Sequence, residues 1–338
     1  GSENSGKSEK FDGGNNISEA LNSLLSDTRN FQPITDWDKV FANIAQDTEH
    51  TEEVKITFER LGYKVDELSQ RIPKLELLDN QIKEVVIRYL GVLISTKLVM
   101  VGANRLYIEA NSATCDFINE AFTNGRYQGM RRYISEDTYG KPLEIICVDE
   151  SNRERVNQLL LFETEGLSYA PHNEGVILSL DLGDFDIKAV VIVNGEVVYK
   201  EKFGWEPEKI KDEDSENSHL EICYRAAKSA LEATQADRSN KLDYLAISSK
   251  GVVFNNQIVS LSVAQGLSRE HFEQTVKPLG QILSERLGNV PYVVVHDGDA
   301  CALWVAFTHN KRNFLNISLG TSFGSGYLDK EGRFGALS

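Results

Sequence analysis

The 338-residue chain predicts an α/β protein with mixed sheets flanked by helices. Three observations point there. Short apolar runs of strand length alternate with amphipathic stretches of helix length. Two such runs flank Asn194-Gly195, a pair suited to a type I′ hairpin because both central residues take positive φ. Three clusters of acidic, hydroxyl and glycine residues follow apolar runs, and open α/β sheets hold their ligands at strand ends.

The length predicts two domains at roughly 100–200 residues each. The composition is that of an ordinary globular protein, with 41% hydrophobic and 26% charged residues. A net charge of −15 and the lack of a long Lys/Arg run argue against nucleic acid as a partner. No apolar stretch approaches the ~20 residues that span a bilayer, and the N-terminus has no apolar signal core, so no membrane partner is expected. The four cysteines, at 115, 147, 223 and 301, show no CxxC spacing. Scattered thiols suit a reducing compartment, and the expected location is the cytoplasm.

Residues 1–16 read as a polar, flexible tail. Residues 17–170 read as a mainly helical segment with buried strands. Thr35 precedes Asp36 and Asp38 as a helix N-cap would. Val54, Phe58, Leu61, Val65 and Leu68 share a helical face that ends at Pro73. The dense apolar run over 85–94 and a second over 98–101 read as buried strands, with a short buried helix as the competitor. A helix over Cys115–Phe122, a buried strand over Leu143–Val148 and a helix over Asn152–Phe162 follow. The polar, Gly- and Pro-containing stretch Glu163–Gly175 reads as a linker.

Beyond the linker, Val176–Tyr199 reads as a three-stranded meander. Helices are expected over 219–234, over 269–287 with a break at Pro278, and over 300–307. Strands are expected over 242–248, 292–295 and 314–319. A return strand begins at Tyr327.

The first cluster is Asp181-Leu182-Gly183-Asp184-Phe185-Asp186-Ile187-Lys188. A carboxylate at a strand end before a Gly turn can hold hydrated Mg²⁺ beside phosphates, although Asp and Gly also suit any turn. The second is His296-Asp297-Gly298-Asp299-Ala300. A carboxylate there can take a proton from a substrate hydroxyl, and helix capping accounts for one of the two acids equally well. The third is Gly320-Thr321-Ser322-Phe323-Gly324-Ser325-Gly326. Its N–H and hydroxyl groups can wrap a phosphate oxygen, or it is a plain hairpin turn; no Walker Gly-Lys-Ser/Thr follows.

In this order the clusters resemble the ROK family (repressor, open reading frame, kinase) of the sugar kinase, heat-shock chaperone and actin superfamily. Asp181-Leu182-Gly183 with Lys188 is similar to its first phosphate motif, Asp-x-Gly-Gly-Thr-x-x-(Lys/Arg). Residues 245–253 resemble Gly-x-x-x-Pro-Gly-x-Val, residues 296–300 resemble Asn-Asp-Ala-Asn-Ala, and residues 314–326 resemble Leu-Gly-Thr-Gly-x-Gly-x-Gly. The resemblance covers residues 175–338 and implies a two-lobed actin-like ATPase (ribonuclease H-like) fold. It implies an ATP-dependent sugar or amino-sugar kinase using Mg²⁺, with sugar and ATP as its partners and a homodimer left open. By it, Asp297 is the catalytic base. Asp181, Gly183, Lys188, Gly320, Thr321, Ser322 and Gly324 face ATP, and Asp181 also faces the metal. His296, Asp297 and Gly251 face the sugar.

Several positions depart from the pattern. Asp184-Phe185 replaces Gly-Thr, Lys250 replaces Pro, and His296 replaces Asn. A carboxylate at 184 is unfavourable beside a phosphate unless a cation intervenes or it points away. Neither the Glu-x-Gly-His sugar motif nor the Cys-rich zinc site is found in the chain, so zinc is not expected.

Residues 171–312 are thus expected as the first kinase lobe and 313–338 as the first hairpin of the second. A faint echo of the family's C-terminal helices over 33–66 suggests a circular permutation. Residues 17–165 and 313–338 would then form one lobe, with a strand near Met100 paired to Phe314–Leu319. The rival is an unrelated N-terminal domain. Two functions fit: a kinase, or a degenerate sensor or scaffold that binds sugar or nucleotide without turnover. A ROK repressor would need a basic recognition helix, which the acidic N-terminal half does not show.

Overall fold

The computed structural model describes residues 15–26, 34–162, 174–234, 242–319, 323–330 and 332. The chain divides into two compact units. One runs to Asp137 and resumes over Lys141–Phe162; the other takes Thr138–Gly140 and the chain from Glu163 onward. The expected 163–175 linker falls mostly outside the described residues.

The N-terminal unit opens with α1 (Asn15–Ser26) and α2 (Ile34–Ile44), followed by β1 (Thr51–Arg60) and β2 (Tyr63–Pro73). The helix expected over 54–68 is therefore a hairpin. Val54, Ile56 and Phe58 alternate with Lys55, Thr57 and Glu59, a period of two that fits a strand. Leu61 (φ 49°) and Gly62 (φ 95°) supply the two positive φ values of a tight turn between Arg60 and Tyr63. Val54 and Phe58, four apart, share a face in a strand as well as in a helix, which is why helical spacing misleads here.

The opposite correction applies to the run expected as buried strands. Residues 80–101 form one helix, α3 (Asn80–Val101), about 33 Å long at 1.5 Å per residue. Asp79 Oδ1 accepts from the Gln81 and Ile82 N–H groups at 2.9 Å each, and Gly102 (φ 61°) ends the helix. Ile82, Val85, Val86, Tyr89, Leu90, Ile94 and Leu98 are buried at helical spacing, while the exposed apolar Val92, Val99 and Met100 lie among them in sequence and mask the period.

The unit continues with β3 (Arg105–Glu109), α4 (Ser112–Thr123), β4 (Glu144–Cys147), α5 (Arg153–Asn157) and β5 (Leu160–Leu161). The expected helix over 152–162 is thus a single short turn and a strand. β4 is not the buried strand expected: Glu144 and Cys147 are exposed. The sheet order is β4-β3-β1-β2-β5. Val54, Ile56, Phe58, Leu106 and Ile108 join Phe41, Leu90, Ile94 and Phe122 of the helices in one core. Each such side chain contributes about 1.5–3 kcal/mol by leaving water. A disulfide links Cys115 of α4 to Cys147 of β4, with Cα atoms 6.0 Å apart, so these two are not the free thiols expected of a reducing compartment.

The C-terminal unit carries the meander β6 (Val176–Leu182), β7 (Asp186–Val193) and β8 (Glu196–Gly204). Asn194 (φ 50°) and Gly195 (φ 86°) turn between the last two. Then come α6 (His219–Ala233), β9 (Leu242–Ser249), β10 (Val252–Phe254) and β11 (Gln257–Ser260). The expected 269–287 helix is broken at Pro278 into α7 (Arg269–Thr275) and α8 (Leu279–Arg286). β12 (Tyr292–His296) and α9 (Asp297–His309) follow.

The main sheet has the order β12-β9-β6-β7-β8. β9 and β12 run parallel to β6, while β7 is antiparallel to both neighbours. Numbered along the chain, that is order 3-2-1-4-5 with strand two reversed, the arrangement of a ribonuclease H-like lobe. Leu178, Leu180, Ile187, Val191, Leu245 and Ile247 pack with Cys223, Ala227 and Leu283 of α6 and α8.

The last hairpin, β13 (Phe314–Leu319) and β14 (Phe323–Leu328), forms a separate two-stranded sheet. Met100 lies in α3, and among the described residues β13 pairs with β14 alone. The pairing that the circular permutation required is not made, because α3 supplies no strand and the N-terminal strands complete a sheet of their own.

Candidate active site

The register of the C-terminal sheet organises the site. Leu182, Ser249 and His296 are neighbours across three parallel strands. Gly183, Lys250 and Asp297 each follow one of them. The chain leaves all three strands at their C-terminal ends, where parallel sheets open a crevice.

Asp181 lies opposite Lys188 on β7 and Ser248 on β9. Lys188 Nζ donates to Asp181 Oδ2 at 2.7 Å, and Ser248 Oγ donates to Oδ1 at 2.5 Å. The bond to Asp181 lifts the Lys188 ammonium above its ordinary range against partial burial. Lys188 also lies 3.7 Å from Asp186, which Lys202 approaches to 3.6 Å. The turn is pinned by its backbone: the Gly183 N–H donates to the Asp186 carbonyl at 3.0 Å, and Trp205 Nε1 donates to the Gly183 carbonyl at 3.0 Å.

The two departures at 184 and 250 meet. Lys250 Nζ forms an ion pair with Asp184 Oδ2. Of the two escapes open to a carboxylate at this turn, the intervening cation is the one taken. Phe185 is 75% exposed.

α9 starts at Asp297, three residues earlier than the sequence suggested. His296 caps it, its Nδ1 accepting from the Gly298 N–H at 3.2 Å. With Nδ1 accepting, the ring proton sits on Nε2, which lies 3.0 Å from Asp297 Oδ1. Burial lowers the His296 pKa against the raising effect of Asp297, which favours a neutral ring.

Gly298 is required by packing. A Cβ there would lie 2.2 Å from the Ser325 carbonyl oxygen, and one at Gly326 would lie 2.3 Å from the Gly298 carbonyl oxygen. The second and third clusters therefore touch backbone to backbone through their glycines.

A cleft of ≈ 440 Å³ is lined by Asp181, Leu182, Gly183, Lys188, Ser248, Lys250, Asp297, Ala300, Cys301 and Trp304. It gathers Asp181, Gly183, Lys188 and Asp297 of the expected site. His296 stands beside Asp297 but is not part of the wall. Gly251 is not part of it either: its φ of 85° and a Cβ position 2.0 Å from the Ser260 carbonyl oxygen give it a backbone role. Gly324 lies in β14, outside the wall, while Gly320, Thr321 and Ser322 lie outside the described residues.

Ser248 and Lys250, which the motif over 245–253 contains without a role, and Cys301 and Trp304, which no motif contains, complete the wall. Asp297, Ala300, Cys301 and Trp304 follow i, i+3, i+4, i+7 spacing, so the helix that carries the acid also supplies one wall. That spacing was readable once α9 was known to begin at Asp297. Trp304 is 64% exposed, an aromatic face open to solvent.

Among the described residues, no three His, Cys, Asp or Glu side chains gather to hold a metal. Asp181, the expected ligand, has both oxygens engaged. The engagement of Asp181 disfavours a bare divalent cation there, while the remaining N–H groups of Lys188 and Lys250 are donors suited to phosphate oxygens. Among the described residues, no helix is long and apolar enough to cross a membrane.

No family model matches the chain, and no curated protein matches it in sequence. Solved structures resemble part of it in fold. A ROK-family transcriptional regulator, a homologue of the E. coli MLC protein, is 20% identical at a TM-score of 0.37, over 47% of this chain and 37% of that one. The ROK hexokinase from Thermus thermophilus is 18% identical at 0.34, over 47% of each. The hexokinase from Schistosoma mansoni complexed with glucose is 17% identical at 0.30, over 46% of this chain and 36% of that one. The matched region spans about half or less of the length of these structures.

Proposed function

We propose that the C-terminal unit transfers the γ-phosphoryl group of ATP to a hydroxyl of a sugar or amino sugar. One observation carries this reading. Asp297, at the end of β12, lines the same cleft as the Asp181–Lys188 pair of the β6–β7 hairpin. An acceptor for a hydroxyl proton and a cation for a phosphate are thereby brought to one cleft.

In this reading Asp297 accepts the substrate proton as the hydroxyl oxygen attacks phosphorus. His296 Nε2 lies 3.0 Å from Asp297 Oδ1, a buried oxygen that accepts no hydrogen bond among the described residues and so keeps its capacity for the substrate proton. Lys188 offsets phosphate charge, and Gly183 lets the turn approach the phosphates without a side chain in the way. Magnesium bound to ATP supplies further charge neutralisation. Asp181 would meet it directly only after Lys188 yields, so no step here is assigned to the metal.

The test is ADP release with Mg·ATP and a panel of hexoses and amino sugars. The expected result is turnover with at least one sugar that Asp297→Asn removes. Absence of turnover across the panel, or turnover indifferent to that substitution, rejects the reading.

A second reading, binding without turnover, is favoured by the full engagement of Asp181 by Lys188 and Ser248. Calorimetry showing ATP or sugar binding by a protein that releases no ADP would select it.

A further inference from the structure

Lys250 stands out in the cleft because no sequence motif assigns it a role. Its position follows from the sheet register. Ser249 pairs with His296 on one side and with Leu182 on the other, so Lys250 leaves its strand between Asp297 and Gly183. Neighbouring strands lie about 4.8 Å apart. The backbone of Lys250 therefore starts midway between the proposed base and the proposed phosphate turn.

The side chain is held near the phosphate turn. The ammonium reaches Asp184, at the tip of that turn, and the two side chains are only 21% and 20% exposed. An ammonium this far out of water requires a counter-charge. Among the described residues, Asp184 is its one hydrogen-bond and ion-pair partner. Two of the three ammonium N–H groups thus remain for other acceptors, on a residue that lines the cleft.

We propose that Lys250 is a catalytic residue that contacts the phosphoryl group in flight, with Asp184 as its resting counter-ion. The inference rests on the kinase reading and adds the group that stabilises the transferred charge. In the step, the substrate oxygen forms its bond to the γ-phosphorus while the bond from that phosphorus to the β,γ-bridging oxygen breaks. The bridging electrons leave with ADP, and the hydroxyl proton passes to Asp297. The Lys250 ammonium donates to non-bridging oxygens of the moving group, a position between attacking and leaving oxygens that matches its place in the strand row. Such donors act most strongly in a partly dry site where they are already oriented.

The experiment compares wild-type protein, Lys250→Met and Lys250→Arg in steady-state turnover with Mg·ATP and the best sugar of the panel. Lys250→Met keeps the aliphatic stem and removes the charge. The expected result is a loss in kcat of about 10²–10³-fold with KM for sugar and ATP changed less than about threefold, and partial recovery by Lys250→Arg. The double variant Asp184→Asn/Lys250→Met leaves no unpaired carboxylate and is expected to show the same kcat loss with unaltered melting. Calorimetry with ADP, aluminium fluoride and sugar should show the analogue complex weakened by Lys250→Met at least as much as kcat falls.

An unchanged kcat in Lys250→Met, or a loss confined to KM, overturns the inference and leaves the kinase reading standing. A kcat loss restored by removing Asp184 as well would mean that Lys250 acts only to neutralise Asp184, and also overturns it. A wild-type protein that phosphorylates no sugar overturns both.

Discussion

Two charged networks on two sheets show what separates a structural ion pair from a working one. In the N-terminal unit, Glu59 is 2% exposed. Tyr107 Oη donates to Glu59 Oε2 at 2.7 Å, Arg105 Nη1 donates to its Oε1 at 2.8 Å, and Arg105 Nε donates to Glu144 at 2.8 Å. Both Glu59 oxygens are used within the protein, and the carboxylates of Glu59 and Glu144 hold the Arg105 cation firmly protonated. In the C-terminal unit, Asp181, Lys188 and Lys250 also form ion pairs, but they do so on the wall of a cleft. At its centre, Glu59, the first network is sealed by side chains that satisfy both carboxylate oxygens, with only Glu144 at its edge exposed. The second leaves an acid and two ammonium groups where a ligand can exchange partners with them. Charge pairing alone therefore says little about function; access of a third party decides it.

The largest effect should fall on the open network. Asp297→Asn is expected to lower phosphoryl transfer by about 10²–10⁴-fold while ATP still binds, measured by ADP release and calorimetry. Equal loss of binding would show that Asp297 holds the site together and does not act as a base.

In the sealed network, Glu59→Ala should destabilise the protein by about 3–5 kcal/mol in urea melts, since Arg105 and Tyr107 lose a buried partner. A change below 1 kcal/mol would mean that water reaches this face and the contrast with the cleft is false.

The buried imidazole of His219 gives a pH test that touches neither network. It is 1% exposed, and burial pushes its pKa down to about 4 from 6.5. Above pH 6.5 the ring is neutral in the folded and the unfolded chain. Below it the unfolded chain takes up a proton that the fold refuses, so stability falls as pH drops toward 4, by up to about 3 kcal/mol. Melts at pH 7, 5.5 and 4.5 should show this decline, and His219→Gln should flatten it.

The Cys115–Cys147 disulfide closes a sequence separation of 32, and its reduction should cost the N-terminal unit about 2–4 kcal/mol. Melts with and without dithiothreitol report it. The smallest effect belongs to the exposed end of the Asp186 pairing: Lys202→Met should change stability by less than about 1 kcal/mol, with the change shrinking further in high salt.

Legibility from sequence was uneven for identifiable reasons. The meander over 176–204 was readable because Asn194-Gly195 marks the turn and buried residues alternate along β6 and most of β7. The places of Asp181, Gly183, Lys188 and Asp297 in the fold were readable because each stands in or just past an apolar strand. The N-terminal unit was misread in two opposite ways. β1 carries apolar residues four apart that imitate a helix, and α3 carries exposed apolar residues, Val92, Val99 and Met100, that hide its 3.6-residue period. In both cases the deciding information lay in short-range punctuation, at Leu61-Gly62 and at Asp79 with Gly102, more than in the apolar pattern. The close approach of Gly298 and Gly326 was not readable because backbone contacts between distant segments leave no local trace.

From its residues alone, this chain declared an α/β class, an acidic surface and a row of chemistry-bearing turns after apolar strands. Those are local properties, set by side-chain periodicity and by turn residues that admit positive φ. Tertiary structure decided which of those turns share a cleft. It also decided that Lys250 answers Asp184, that Asp181 is already occupied, and that the N-terminal strands complete a sheet of their own. Each of these depends on which strands become neighbours, and strand pairing is a contest between distant segments for the same hydrogen bonds, which no single stretch of sequence records.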